Sequence, residues 1–428
     1  MNIYLNPGRS NWAALCQRPT ERNTQIRSRV ESILDRVRRG GDVALRELAL
    51  EIDGRAPESL EVSPEAIEEA CAKVSPEVKA AVQKAAANIT AFHEAQMPCG
   101  IDIETAPGVR CIQKPVPIGK VGLYIPGGTA PLFSTVLMLA LPARIAGCPE
   151  VILCTPAGKS GKIAPEVLYA ASFCGVSKIY EVGGAQAIAA MAYGTQTIGK
   201  VDKIFGPGNQ YVTTAKQLLG GRVVAIDMPA GPSEVMVIAD GTTDCAFAAA
   251  DLLSQAEHGR DSQVMLVCTD RDVAERVQAQ IYLQIRDLGR AELAVASLEK
   301  SRFVVFDNLN DIIDFANAYA PEHLIVSTAE PWRIVDGISA AGSVFVGAYT
   351  PESAGDYASG TNHTLPTCAW ARSYSGVNID SFMRKMTIQE ISRDGLKGLS
   401  GAIVAMAEAE GLQAHANAVI LRVGKDER

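Results

Sequence analysis

Apolar positions recur at helical spacing up to about residue 98. Ile26, Val30, Ile33, Leu34 and Val37 share one face, and that run meets a stop signal at Gly40-Gly41. Ser63-Pro64-Glu65 and Ser75-Pro76-Glu77 each offer a serine N-cap with proline at the first helical position. Behind the second, Val78, Val82, Ala85, Ile89 and Phe92 predict a buried stripe. From Lys120 the texture changes to short runs rich in Val and Ile, bounded by Gly, Pro or Asp. One series lies at 121–125, 151–154, 179–182 and 223–226. A second lies at 235–239, 264–268, 303–306, 324–326 and 344–346. Helical stretches such as 186–193 and 245–253 separate them. Strands alternating with helices predict an α/β fold with mostly parallel sheets, here as two units similar in plan but without a detectable sequence repeat. The last fifty residues return to a helical pattern, with Ile403, Met406 and Ala407 on one face.

Composition narrows the function classes. A chain of 428 residues with 47% hydrophobic and 21% charged residues is globular, with room for two to three domains. Its net charge of −8 leaves little footprint for a nucleic-acid binder. The one dense basic stretch, Arg36 to Arg39, sits where cations favour a helix C-terminus. The longest apolar run, 132–141, is interrupted by Ser134 and Thr135 and stopped by Pro142, so no membrane span is expected. The first residues lack the pattern of a signal peptide. Ten cysteines without a Cys-x-x-Cys pair fit buried thiols in a reducing compartment. The expectation is a cytoplasmic enzyme with five scarce histidines.

Three Gly-rich segments follow strand-like runs: Pro126-Gly127-Gly128-Thr129, Gly183-Gly184-Ala185-Gln186 and Gly206-Pro207-Gly208-Asn209. Each could let a nucleotide approach the backbone near a helix N-terminus, or be a structural turn; none carries the full dinucleotide fingerprint. His93 lies in a helical stretch without chemistry beside it and reads as structural. Gln255 and His258 share a helix face. Glu322-His323 pairs a carboxylate with an imidazole behind Pro321. Residues 353–363, with two glycines and His363, make a poor core and a better binding loop. His415 stands alone on a helical tract. Gln255, His258, Asp356 and His415 together offer a plausible ligand set for Zn²⁺ or a similar ion, which sequence chemistry permits without requiring. Cys148 and Cys154 flank a strand, but no His or cation lies near them in sequence to lower a thiol pKa, so they read as structural.

These blocks, in this order, resemble the histidinol dehydrogenase family from about residue 24 onwards. The resemblance is carried by Val121 to Gly128, Gly183 to Ala190, Phe205 to Asn209, Ile226 to Glu234, Ser254 to Gly259, Pro321 to Leu324 and the loop from Pro351 to His363. It implies oxidation of L-histidinol through the aldehyde to L-histidine, with two NAD⁺ and one water consumed. It places one Zn²⁺ per subunit on Gln255, His258, Asp356 and His415. His323 would be the general base and Glu322 the water-activating carboxylate. Substrate contacts fall on Ser233, His363 and Glu410, with His323 and the metal ligands; NAD⁺ contacts fall on Tyr124, Gln186 and Asn209. The resemblance also implies two incomplete Rossmann-like units in a homodimer. Residues 124–234 would form the unit contacting NAD⁺, and 24–123 with 235–377 the other, including the N-terminal helices. Residues 378–428 would cross to the partner, and 1–23 would be an extension.

Two other classes set the tests. A zinc hydrolase using Glu322 on a metal-bound water would give no NADH with any alcohol. A non-catalytic two-lobed amino-acid-binding protein would bind without turnover.

Overall fold

The computed structural model describes residues 1–18, 24–127, 131–158, 161–229 and 231–424. Gly128, Thr129 and Ala230 of the quoted blocks lie outside them. In chain order the strands are β1 (Asn2–Leu5), β2 (Ile101–Ala106), β3 (Val109–Pro117), β4 (Lys120–Tyr124), β5 (Glu150–Thr155), β6 (Lys178–Glu181) and β7 (Lys203–Phe205). There follow β8 (Ala225–Ile226), β9 (Glu234–Ala239), β10 (Gln263–Cys268), β11 (Arg302–Val305), β12 (His323–Ser327), β13 (Ser343–Val346) and β14 (Met383–Ile391).

Two parallel sheets carry the fold. One runs β6-β5-β4-β7-β8, the other β1-β11-β10-β9-β12-β13. Counted from its own first strand, each five-strand series has the order 3-2-1-4-5, the first five strands of a doubly wound dinucleotide fold. Helices cover both faces, so β9 and β10 are buried at every position and read as continuous apolar runs. Each sheet has a switch point, where successive crossovers leave in opposite directions: β4/β7 in one and β9/β12 in the other.

The N-terminal helices pack differently from the expected grouping. Val30, Ile33, Leu34 and Val37 of the helix Thr24–Asp53 share a core with Tyr124, Ile152 and Ile188. Val82, Ala85 and Ile89 of the helix Pro76–Glu94 share one with Leu123 and Val136. Both helices therefore cover the five-stranded sheet, because their apolar faces meet that sheet's own helices; the second also reaches the unit of 235–377, Asn88 donating to the Ala358 carbonyl at 2.7 Å. A boundary at 123/124 also falls inside β4. The stop signal at Gly40-Gly41 is borne out: Gly41, with φ +52° and ψ −130°, is non-helical and divides Thr24–Asp53 into two helices across a kink. Both Ser-Pro caps form, Ser63 accepting from the Ala66 N–H and Ser75 from the Val78 N–H. Phe92, expected in the buried stripe, is exposed.

Residues 1–18 are part of the six-stranded sheet's unit. β1 pairs with β11, and Trp12 packs edge-on against Phe306 and Phe315. The C-terminal region begins with a strand that the helical reading passed over. β14 pairs antiparallel with β3, which pairs with β2, and the helices Arg393–Ala409 and Gln413–Val423 share a small core of their own.

Candidate active site

The two switch points face one cavity of about 130 Å³. The five-stranded sheet presents the carboxyl ends of its switch strands, through Gly206 and Pro207 after β7 and Ser134 and Thr135 beyond β4. The six-stranded sheet presents amino ends: Ser233 just before β9, Glu322 just before β12, and His323 as its first residue. The helix Cys245–Ala256 adds Gln255 and the turn after it His258; the segment after β13 adds Asp356 and His363. Seven expected site residues thus meet: Ser233, Gln255, His258, Glu322, His323, Asp356 and His363.

Register explains the Glu322-His323 placement. β12 lies beside β9 with His323 opposite Val235, so the Glu234 backbone can serve both neighbours. Its N–H donates to Glu322 Oε2 at 2.8 Å. Its carbonyl lies 3.2 Å from His323 Nδ1, and a carbonyl only accepts, so Nδ1 carries the proton. The buried Nε2 is left without a protein partner among the described residues. It carries the ring's free lone pair, 3.8 Å from Asp356 Oδ1. Burial holds His323 neutral by pushing its pKa down to about 3, aided by the His363 and His258 rings. Burial pushes Glu322 well above the usual carboxylate range, and the Glu234 and Asp356 charges add to this.

His363 is fixed in the same way. Its Nδ1 donates to the Asp356 carbonyl at 2.8 Å, and Nε2 sits 3.1 Å from the Thr135 hydroxyl; burial lowers its pKa to about 4. Burial also lowers His258, against the pull of Asp356, and raises Asp356 to about 6.

Gln255 tests the metal reading. It is fully buried, yet neither amide atom has a partner among the described residues. A buried polar group without a partner is costly and calls for an explanation. A cation beside the amide oxygen supplies one, and the imidazoles and carboxylate around it are a borderline donor set suited to Zn²⁺. Glu352 was not foreseen. It is buried, lies 3.7 Å from His323 Nδ1, and forms with His323 and Asp356 a cluster whose donor atoms lie within 4.8 Å of one another. Only its place at the head of the 351–363 loop could have flagged it. Lys216 and Asp227 form a second unforeseen pair, buried beside the Gly206 turn.

His415 and Glu410 do not join the cavity. Both are exposed on the C-terminal helical region, so one chain supplies three of the four expected metal ligands.

The three expected cofactor residues sit where the helices of the five-stranded unit begin. The Tyr124 hydroxyl accepts the Gly184 N–H at 3.0 Å, leaving its own proton to donate. Gln186 lines a cleft of about 440 Å³ at the carboxyl ends of β5 and β6. Asn209 caps the helix Gln210–Leu219, its side-chain oxygen accepting from Tyr211 at 3.0 Å and Val212 at 3.2 Å. The glycines beside them serve close approach. A Cβ on Gly183 would meet Pro156 at 2.5 Å, and one on Gly206, at φ +122°, would strike the Tyr124 carbonyl. Cys148 and Cys154 are structural: burial raises Cys148 to about 11 and Cys154 further still.

A sequence profile described as histidinol dehydrogenase matches residues 16–423. The chain belongs to the histidinol dehydrogenase family. It is 53% identical over 423 residues to a histidinol dehydrogenase of Bacteroides fragilis (strain YCH46), covering 99% of both chains. It is 51% identical over 415 residues to one from Vibrio vulnificus (strain YJ016), covering 96% of this chain and 95% of that one. The crystal structure of histidinol dehydrogenase from Elizabethkingia anophelis matches with a TM-score of 0.96 at 49% identity, covering 99% of this chain and 98% of the other. Family membership makes the chain an oxidoreductase of histidine synthesis. No described helix is long and apolar enough to cross a membrane.

Proposed function

We propose that the enzyme oxidises L-histidinol to L-histidine through L-histidinaldehyde, reducing two NAD⁺ and consuming one water. The observation that carries the reading is the Glu322-His323 pair held on the backbone of one residue, with His323 Nε2 unpartnered among the described residues in a cavity between two dinucleotide-type sheets. Each hydride leaving the carbinol carbon requires loss of a hydroxyl proton. A neutral imidazole with a free Nε2 is the group to take it. Between the oxidations a water must add to the aldehyde, since only a hydrated carbon has a second hydride to give. Glu322, made more basic by burial, accepts that water's proton. Ser233 and His363 line the same cavity and orient the amino alcohol.

Gln255, His258 and Asp356 would hold a Zn²⁺ ion, with His415 of a second copy as the fourth ligand and Glu410 beside it as a substrate contact. The orphaned Gln255 amide and the exposure of His415 in its own chain support that division. Such an ion would orient the imidazole and amine of the substrate rather than polarise the reacting oxygen. NAD⁺ would lie on the five-stranded unit against Tyr124, Gln186 and Asn209. Ten cysteines, all free thiols, support a cytoplasmic setting. The deciding experiment counts NADH formed per L-histidinol consumed. Two are expected; none, with tight binding or with hydrolysis of another substrate, would return the alternatives.

A further inference from the structure

Arg18 stands last in the described N-terminal segment, far in sequence from every residue of the site, yet it is nine-tenths buried. Its guanidinium lies 3.7 Å over the Tyr319 ring and donates to the Tyr319 carbonyl at 2.6 Å and the Cys16 carbonyl at 3.0 Å. Nη2 and Nε also form a fork on the Glu234 carboxylate: Nη2 to Oε2 at 2.6 Å, and Nε to Oε1 and Oε2 at 3.1 and 3.2 Å. The Cys368 N–H completes the set on Oε1 at 2.5 Å. A planar fork on a carboxylate fixes position as well as charge. Glu234 is also the residue whose own backbone holds both members of the proton-transfer pair, its N–H on Glu322 and its carbonyl on His323 Nδ1.

We propose that Arg18 and Glu234 are positioning residues for the reaction. The Arg18 fork locks the Glu234 side chain, the lock immobilises the Glu234 backbone, and the peptides on either side of its Cα set the Glu322 carboxylate and keep the His323 proton on Nδ1. The N-terminal segment thereby acts on a cavity it does not line. The inference rests on the proposed roles of Glu322 and His323. An Arg at this place is not needed merely to neutralise a buried acid, because a lysine would do that; the fork and the stacking on Tyr319 are what lysine cannot reproduce.

The test compares full-length, zinc-loaded Arg18→Met, Arg18→Lys, Glu234→Gln and the Arg18→Met/Glu234→Gln double variant with the parent enzyme. The measurements are kcat and KM for L-histidinol, zinc content and Tm. Arg18→Met is expected to lower kcat at least tenfold with KM within threefold and zinc content unchanged. Arg18→Lys should restore Tm but not kcat. The double variant should lose less kcat than the product of the singles, because no unpaired buried carboxylate remains. A fall in Tm with kcat within twofold of the parent would make the segment purely structural and overturn the proposal. So would a KM effect alone, or full recovery of kcat by lysine. If Arg18→Met does not fold, Arg18→Lys and Glu234→Gln decide on the same criteria. A parent enzyme that makes no NADH from L-histidinol would remove the functional reading itself. An active parent with unaffected variants removes only this proposal.

Discussion

Replacing Gln255 by Met separates a metal ligand from a core residue. In the metal-free protein the side-chain amide is fully buried with both polar atoms unpartnered among the described residues. Leaving a buried polar group unsatisfied costs about 1–3 kcal/mol, whereas an unbranched thioether of similar length fills the space without that penalty. Metal-free Gln255→Met is therefore expected to be more stable than the parent by about 2 kcal/mol. For 428 residues, unfolding entropies of the usual size turn this into a Tm rise of roughly 2 °C. Added Zn²⁺ reverses the ranking. At a hundred times its dissociation constant the ion should stabilise the parent by about 2.7 kcal/mol, and the variant by much less. The assay is thermal unfolding of both proteins after chelator dialysis and again with Zn²⁺ restored, with turnover measured alongside. A variant less stable than the parent without metal, yet stabilised equally by zinc, would refute both the strain and the ligand role.

Further outcomes follow from the same geometry. Glu322→Gln should impair oxidation of supplied histidinaldehyde far more than the first oxidation of histidinol, read as single-turnover NADH; equal losses would remove the water-activating role. Mixed His323→Ala and His415→Ala subunits should regain part of the parental activity if each site takes His415 from its partner, and verified heterodimers without activity would argue against sharing. Burial raises Asp251 to about 7 from the ordinary 3.8, so between those values the unfolded chain is ionised while the folded one is protonated. Its contribution is thus intact below about pH 4, is lost as pH rises, and is flat above about pH 7. Asp251→Asn should accordingly stabilise at pH 8 by an amount that fades by pH 4, measured by denaturant titration; a pH-independent difference would contradict the burial. Gly206→Ala forces a Cβ onto the Tyr124 carbonyl at a φ of +122°, and should lower Tm by several degrees and cut activity, since it parts the ends of β4 and β7 beside the cavity.

The two parallel sheets were legible because fully covered strands write themselves as unbroken Val/Ile runs. The elements that escaped have other signatures. β14 has only Met383, Met386, Ile388 and Ile391 as apolar residues, without a regular alternation, and is exposed along nearly its whole length. β7 is three residues long, and β1 takes its place from pairing with β11, three hundred residues away. The side of the sheet on which the N-terminal helices pack was equally hidden. Periodicity identifies an apolar face but not the surface it will meet.

The site shows the same division more sharply. Composition and spacing could mark Glu322-His323 as a proton-transfer pair and Gln255 and His258 as neighbours on a helix, but motif resemblance was needed to join them to Asp356 and His363. What neither could supply is the role of the backbone. The tautomer of His323 is decided by a carbonyl, and the Glu322 carboxylate is seated by an N–H, both from Glu234, whose side chain points away to Arg18. A peptide group has no letter in the sequence, so chemistry assigned to it is invisible until strands are paired. The pairing also accounts for where the cavity lies. Ligands of a doubly wound sheet gather at the carboxyl ends of its strands, and the five-stranded unit turns those ends to the cavity. The six-stranded unit has the same strand order but offers the amino ends of β9 and β12. Set end to end in this way, the carboxyl edge of one sheet and the Glu322-His323 pair of the other open onto the same cavity, which is the geometry that the proposed division of cofactor binding from proton transfer requires.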